Sequence, residues 1–278
     1  MPVSKLKNLA ILILVLTNLA LALLVFPNRY RVRQETETLH QSLCDLYAQQ
    51  EITLSPDAIP DTVSLYVLEL KEDGTGSLQA AKALLGENVW LHDASTRYLN
   101  DYRSEKGICS ISQSGDFYAE LTAQEPQRDL QRASRKLLKE MGFSSAALPE
   151  PQPQAAGVYT LTATQQVLGM PVFAGDLVLT WTDGCLTGLQ GIFFPGANTL
   201  ARVSDSSCMS AADALVRFLS VRYELGWVGS AVTGLQQGYI RSETAAAATV
   251  RLTPVWRLET DTGSYQINGM TGEVTALP

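Results

Sequence analysis

Four cysteines and two histidines are the side chains of this 278-residue chain best suited to nucleophilic or metal chemistry, and their placement supports neither. Cys44, Cys109, Cys185 and Cys208 lie 65, 76 and 23 residues apart, so no Cys-x-x-Cys exists to hold zinc or run thiol exchange. Outside the cytoplasm they could close two disulfides in any of three pairings; Cys44 and Cys185 also suit small buried apolar positions, and the reading here is of free or partly buried thiols. His40 and His92 have no His, Cys or Asp at ligand spacing. No Gly-x-Ser-x-Gly is present, and the Ser-x-x-Lys of Ser4 and Lys7 lies in the N-terminal tail. Glu69, Glu72 and Asp73, and again Glu259 and Asp261, could be paired as acid and base, but both sets flank strand ends, where acidic residues are ordinary turn choices. Gly74-Thr-Gly76 lacks the further glycine and the Lys-Ser/Thr of a phosphate loop. The expectation is a non-enzyme with no catalytic, cofactor or metal residues, acting by binding.

Charge narrows the partner. The chain carries 21 Lys and Arg against 28 Asp and Glu, a formal −7, with no basic run interleaved with aromatics, so nucleic acid is excluded as the expected ligand.

The N-terminus sets where that binding would occur. Leu9 to Phe26 is an uncharged run of 18 residues, broken only by Thr17 and Asn18 and stopped at Pro27. As a helix it would extend about 27 Å, enough for the hydrocarbon core, so residues 1–8 read as a cytoplasmic tail and 9–26 as an uncleaved transmembrane helix. The remainder is then expected outside the cytoplasm of a single-pass protein. Thr17 and Asn18 at mid-span are candidate contacts to another membrane protein or a second copy, since lipid offers an amide no partner. Residues 27–50 read as a juxtamembrane helix whose stripe of Val32, Leu39, Leu43, Leu46 and Tyr47 packs on its own domain or on a partner helix; Leu39, Leu43 and Leu46 join Thr17 and Asn18 as candidate partner-binding residues.

Beyond residue 50 the pattern alternates short helices with strands. Helices are expected over 78–85 with Ser77 as cap, after Glu125-Pro126 with Leu130, Ala133, Leu137 and Met141 on one face, and from the Ser204–Ser207 cluster to Arg222 with Met209, Ala212, Val216 and Leu219 inward. Strands are expected at 62–70, over short stretches of 88–121, and at 158–167. Asp183-Gly184 is the strongest hairpin signal, joining 176–181 to 185–194. Pro254 should mark an edge or a bulge. Pro149 to Pro153 suggests a linker over 149–156 between a first α+β half, 51–148, and a second, 157–278. The expected fold class is α+β: one N-terminal transmembrane helix, then antiparallel sheets each packed by a helix, in helix-plus-meander repeats.

The last 70 residues carry a resemblance. Pro254-Val-Trp256, Asp261-Thr-Gly263, Tyr265-Gln-Ile267-Asn268 and Thr271-Gly272-Glu273, preceded by the helix at Ala211, resemble the end of PepSY-like modules, and in particular the YycI/YycH group of two-component regulatory proteins of Gram-positive bacteria. The resemblance implies that Trp256 and Tyr265 fill a sheet face while Asn268 and Gly272 take turn conformations with positive φ. It further implies an accessory regulator of a sensor histidine kinase in cell-envelope homeostasis, working beside a sister regulatory protein by protein contact, with homo- or hetero-oligomers open. The alternative is a PepSY-type extracytoplasmic module that binds or inhibits an envelope hydrolase or protease, as in germination proteins with the same C-terminal pattern.

Overall fold

The computed structural model describes residues 13–15, 17–18, 34–70, 74–92, 99–122, 125–195, 200–242 and 250–278. Helix α1 runs through 34–48, followed by β1 (Thr53–Leu54), a 3-10 turn (Pro56–Ala58) and β2 (Leu68–Leu70). Then come α2 (Thr75–Leu85), β3 (Trp90–His92), β4 (Leu99–Ser104), β5 (Gly107–Ser112), β6 (Asp116–Leu121) and α3 (Leu130–Glu140). A long meander follows: β7 (Gln152–Ala155), β8 (Val158–Val167), β9 (Met170–Thr182) and β10 (Cys185–Ile192). The chain ends with β11 (Leu200–Arg202), α4 (Ala211–Val221), β12 (Ala231–Ser242), β13 (Val250–Thr260), β14 (Ser264–Asn268) and β15 (Val274–Ala276).

This overturns the expected α+β architecture headed by a membrane helix. The described strands join into one 15-stranded mixed sheet, whose main path runs β11-β2-β13-β12-β9-β10-β6-β5-β4-β3. No helix among the described residues is long and apolar enough to cross a membrane. Most of Leu9–Phe26 lies outside the described residues; 13–15 and 17–18 are helical and exposed. Separate antiparallel sheets were expected because alternation reveals strands but not their lateral partners. One parallel contact merges them instead, Val172 and Phe173 lying beside Tyr239 and Ile240; a second parallel pair, Thr53 and Leu54 beside Ala231 and Val232, adds β1 to the C-terminal strands.

Two hydrophobic cores sit on this sheet. One gathers Leu43, Tyr47, Leu54 and Leu68 from the N-terminal segment with Leu215, Phe218, Tyr239, Leu252, Trp256 and Ile267 from the C-terminal one. The other lies between, from Ala80 and Leu84 of α2 through Ile111, Phe117 and Leu138 to Leu161, Leu179 and Phe193. The cores therefore divide the chain broadly as 34–70 with 200–276 against 75–193, except that Val167 and Val172 around the β8–β9 tip, and Phe194, join the first; residues 149–156 include β7, which pairs with β8. The strand expected at 62–70 is confined to Leu68–Leu70.

Where the two bodies meet, β9 bends. Thr164 faces Asp176 but Gln166 faces Pro171, so residues 172–175 bulge from the ladder against the single residue Gln165. Ala174 takes φ +55° there. Val172 and Phe173 are thereby carried across to β12, and Gly238 admits them: a Cβ on it would lie 2.6 Å from the Phe173 ring. Gln165, fully buried, closes the junction with two hydrogen bonds to the backbone of one residue: its Oε1 accepts from Phe194 N at 2.8 Å, and its Nε2 donates to Phe194 O at 3.0 Å. Gln237 treats Val63 in the same way, accepting from its N–H at 3.0 Å and donating to its carbonyl at 2.8 Å.

A polar tie adds to the junction. Arg241 on β12 donates to Ser114 O at 2.9 Å and to Asp116 Oδ1 at 3.2 Å in the β5–β6 turn. Hydrogen bonds from Ser114 and Ser112, together with Arg241, hold the Asp116 carboxyl below its usual value against a smaller desolvation penalty. A depressed folded-state value stabilises above the unfolded pKa, near 4, and the gain is lost as pH falls through the depressed value. Both partners are partly exposed, 61% for Asp116 and 40% for Arg241, so the contribution is about 0.2–1 kcal/mol. Asp116→Asn should therefore lower the urea midpoint slightly at pH 7, and that difference should shrink steadily as the pH falls below about 4. A constant difference across that range would show that the ionised carboxylate contributes nothing.

Candidate interaction site

The C-terminal residues that carry the PepSY-like pattern are all used by the fold. Trp256 is fully buried and its Nε1 donates to Met209 O at 3.1 Å, fixing the start of α4 to the sheet. Ser210 and Asp213 form a capping box there. Tyr265 packs on Phe218 of α4 with ring centroids 5.1 Å apart. Gly272 takes φ +73°, as expected of a turn glycine. Asn268 does not: it turns the chain through its side chain, Oδ1 accepting from Met270 N at 2.9 Å and Thr271 N at 3.1 Å. Pro254 stands inside β13, neither at an edge nor at a bulge. Its missing donor falls in the gap between β2, which pairs with 250–252, and β14, which pairs with 255–259.

The side chains weighed for chemistry are likewise engaged. Glu69 pairs with Arg251 at 2.7 Å across β2 and β13. Glu259 accepts from Arg257 at 2.8 Å and from the Ser264 hydroxyl. Asp261 accepts from Ser230 N at 2.8 Å, and this bond with that of the Ser230 hydroxyl holds its carboxyl below the usual range. Glu72 and Asp73 lie outside the described residues. None of the four cysteines is in a disulfide. Burial, with Asp101 nearby, pushes the Cys109 thiol up to about 12, and burial raises Cys208 and, with Asp45 adding to it, Cys44. A raised thiol is a poor nucleophile. Among the described residues no group of three or more His, Cys, Asp or Glu is arranged to hold a metal ion.

The residues proposed for partner contact are separated by the fold. Thr17 is exposed and its hydroxyl returns to Ile13 O at 2.8 Å; Asn18 is exposed beside it. On α1, Leu43 is buried in the chain's own core and Leu46 is packed partly buried against it, while Leu39 is 49% exposed. Val32 lies outside the described residues. The inward face of α1 is anchored by Tyr47, whose hydroxyl donates to Leu215 O at 2.8 Å.

Three exposed features were not read from the sequence as contact surfaces. Strand β3 ends the main path of the sheet with all three side chains exposed, Trp90 and Leu91 among them, beside a cavity of about 240 Å³ lined by Gly86, Asn88 and Lys106. Leu168, 67% exposed, sits at the β8–β9 hairpin tip with φ +52°, where asparagine or glycine would be less strained. On α3, Arg132, Arg135, Lys136 and Lys139 are all exposed, as is Arg128 just before it. Their spacing is legible in the sequence; that among the described residues only Lys136 has an ion-pair partner, Glu140, is not.

No protein-family model matches the chain, and no curated protein matches it. Among solved structures it is similar to the Bacillus megaterium YpeB C-terminal domain, at 17% identity and a TM-score of 0.38, over 75% of this chain and 99% of that one.

Proposed function

We propose that this chain is a PepSY-type extracytoplasmic module that binds and restrains an envelope hydrolase or protease. The observation that supports the reading is the C-terminal unit, in which the PepSY-like residues Trp256, Tyr265 and Gly272 build one helix-on-sheet body and retain no free chemistry. A body whose acidic and polar side chains are engaged internally acts through its surface. Titrating the purified chain against the hydrolase or protease encoded beside its gene should reduce that enzyme's turnover, saturating near one equivalent. Unchanged turnover at excess chain would overturn the reading. The narrower role, a regulator of a sensor histidine kinase, would instead appear as altered autophosphorylation of a neighbouring kinase in a parallel titration.

A further inference from the structure

We propose that the exposed face of α3 is a docking surface for an acidic segment of a partner protein. The proposal rests on the reading that this chain works by protein contact, and it names the chemistry of that contact. Arg132, Arg135 and Lys139 recur at one-turn intervals on α3 and form a stripe about 10 Å long, with Arg128 just ahead of the Asp129 cap. Lys136 borders the stripe and reaches Glu140 at 3.8 Å. The other four make no ion pair or side-chain hydrogen bond among the described residues. Residues 128–140 hold a local charge of +3 in a chain of −7, leaving −10 for the rest.

The arrangement works against the helix that bears it. Arg132 with Lys136 and Arg135 with Lys139 are like charges one turn apart, a spacing that destabilises a helix. Arg128 and Arg132 also stand at the positive end of the helix dipole, where acidic residues are preferred and only the Asp129 cap supplies one. A local rule broken without internal compensation points to a requirement imposed from outside. Carboxylates spaced one turn apart on a partner helix would relieve every one of these repulsions, and arginine forks pair with carboxylates bidentately.

Other anions fit less well. A helix that lies on lipid needs apolar side chains bordering its cations. Here Leu130 and Leu137 are half-buried, Leu138 is buried, and none of the exposed large apolar residues falls between 128 and 141. Single-stranded nucleic acid would call for aromatic platforms, and α3 has no aromatic residue.

The test uses a labelled alanine-based helical peptide with glutamate at every fourth position, read by fluorescence anisotropy against the full chain. The expected result is binding at low salt that weakens steeply as salt rises and falls at least about tenfold in R132E/R135E. That variant should melt no lower than wild type, because each new glutamate stands four residues before Lys136 or Lys139, the favourable orientation. R132Q/R135Q, which only removes charge, should show an intermediate loss. No peptide binding, or equal binding by R132E/R135E, overturns the proposal. So does binding of phosphatidylglycerol vesicles or polyphosphate in place of the peptide. If R132E/R135E still restrains the neighbouring hydrolase fully, the docking surface is wrong and the inhibitory reading stands; if wild type binds the peptide but restrains no hydrolase, the reverse holds.

Discussion

Trp256→Ala is expected to remove about 3–5 kcal/mol of folding stability, roughly a fifth or more of what a domain of ordinary stability has. The indole is fully buried at the centre of the core that unites the two ends of the chain. Its deletion would leave a cavity bounded by β12, β14 and the start of α4, three elements fixed by their own ladders and caps and so unable to collapse into it. Trp256→Phe separates two contributions: it keeps most of the ring and loses the bond to Met209 O, for about 1 kcal/mol. Urea denaturation of the three proteins checks both figures. An alanine variant within about 1 kcal/mol of wild type would mean that the site repacks and that Trp256 is not the keystone described above.

The second large effect is expected at the junction of the two bodies. Gln165→Leu keeps the side-chain volume but leaves the N–H and carbonyl of Phe194 buried without partners, a cost of about 1–3 kcal/mol for each group. The two cores should then lose cooperativity before either loses its secondary structure. Tryptophan emission can follow this loss, because Trp181 belongs to one core and Trp256 to the other. Gln165→Glu gives the sign of the pH response. A carboxylate can accept from Phe194 N–H but meets the carbonyl lone pairs, so its folded pKa rises above the unfolded value. Its destabilisation is therefore largest at neutral pH and shrinks in acid, toward the unfolded pKa near 4. A pH-independent penalty would show that the Phe194 carbonyl is not the group the amide serves.

Local turns and caps were the most legible features of the sequence. Asp183 and Gly184, with φ +50° and +81°, form the hairpin that their order announces, because two left-handed residues in succession leave few other choices. Gly86 and Gly226 end their helical segments as expected. Helix phase was harder to read. For α4 the expected inward set included Val216, which is 46% exposed, while Ala211, Ala214, Leu215 and Phe218 are buried. Counting from Met209 placed the stripe one position off, since the Ser210 cap starts the helix later. Ser77, read as a cap, is instead buried within α2 and lies 3.2 Å from the Tyr102 hydroxyl.

Lateral strand order was the least legible feature. The parallel pairing of Val172 and Phe173 with Tyr239 and Ile240 covers two residues on each strand, too short to mark any periodicity. It depends on the bulge opposite Gln165, which is a tertiary feature. The α3 cations were visible by type and spacing, but a cation becomes a candidate site only when its neighbours are known to leave it unpaired.

The division of the chain between the two cores sets an order of assembly during translation. Residues 75–193 hold all the strands of their own core and can condense as they leave the ribosome. The earlier segment cannot. Tyr47, Leu54 and Leu68 require α4, β12 and β13, which are synthesised last. A nascent chain therefore carries an uncovered apolar N-terminal stretch past an already folded neighbour, and a chaperone that shields such stretches would act on residues 34–70 until the final strands emerge.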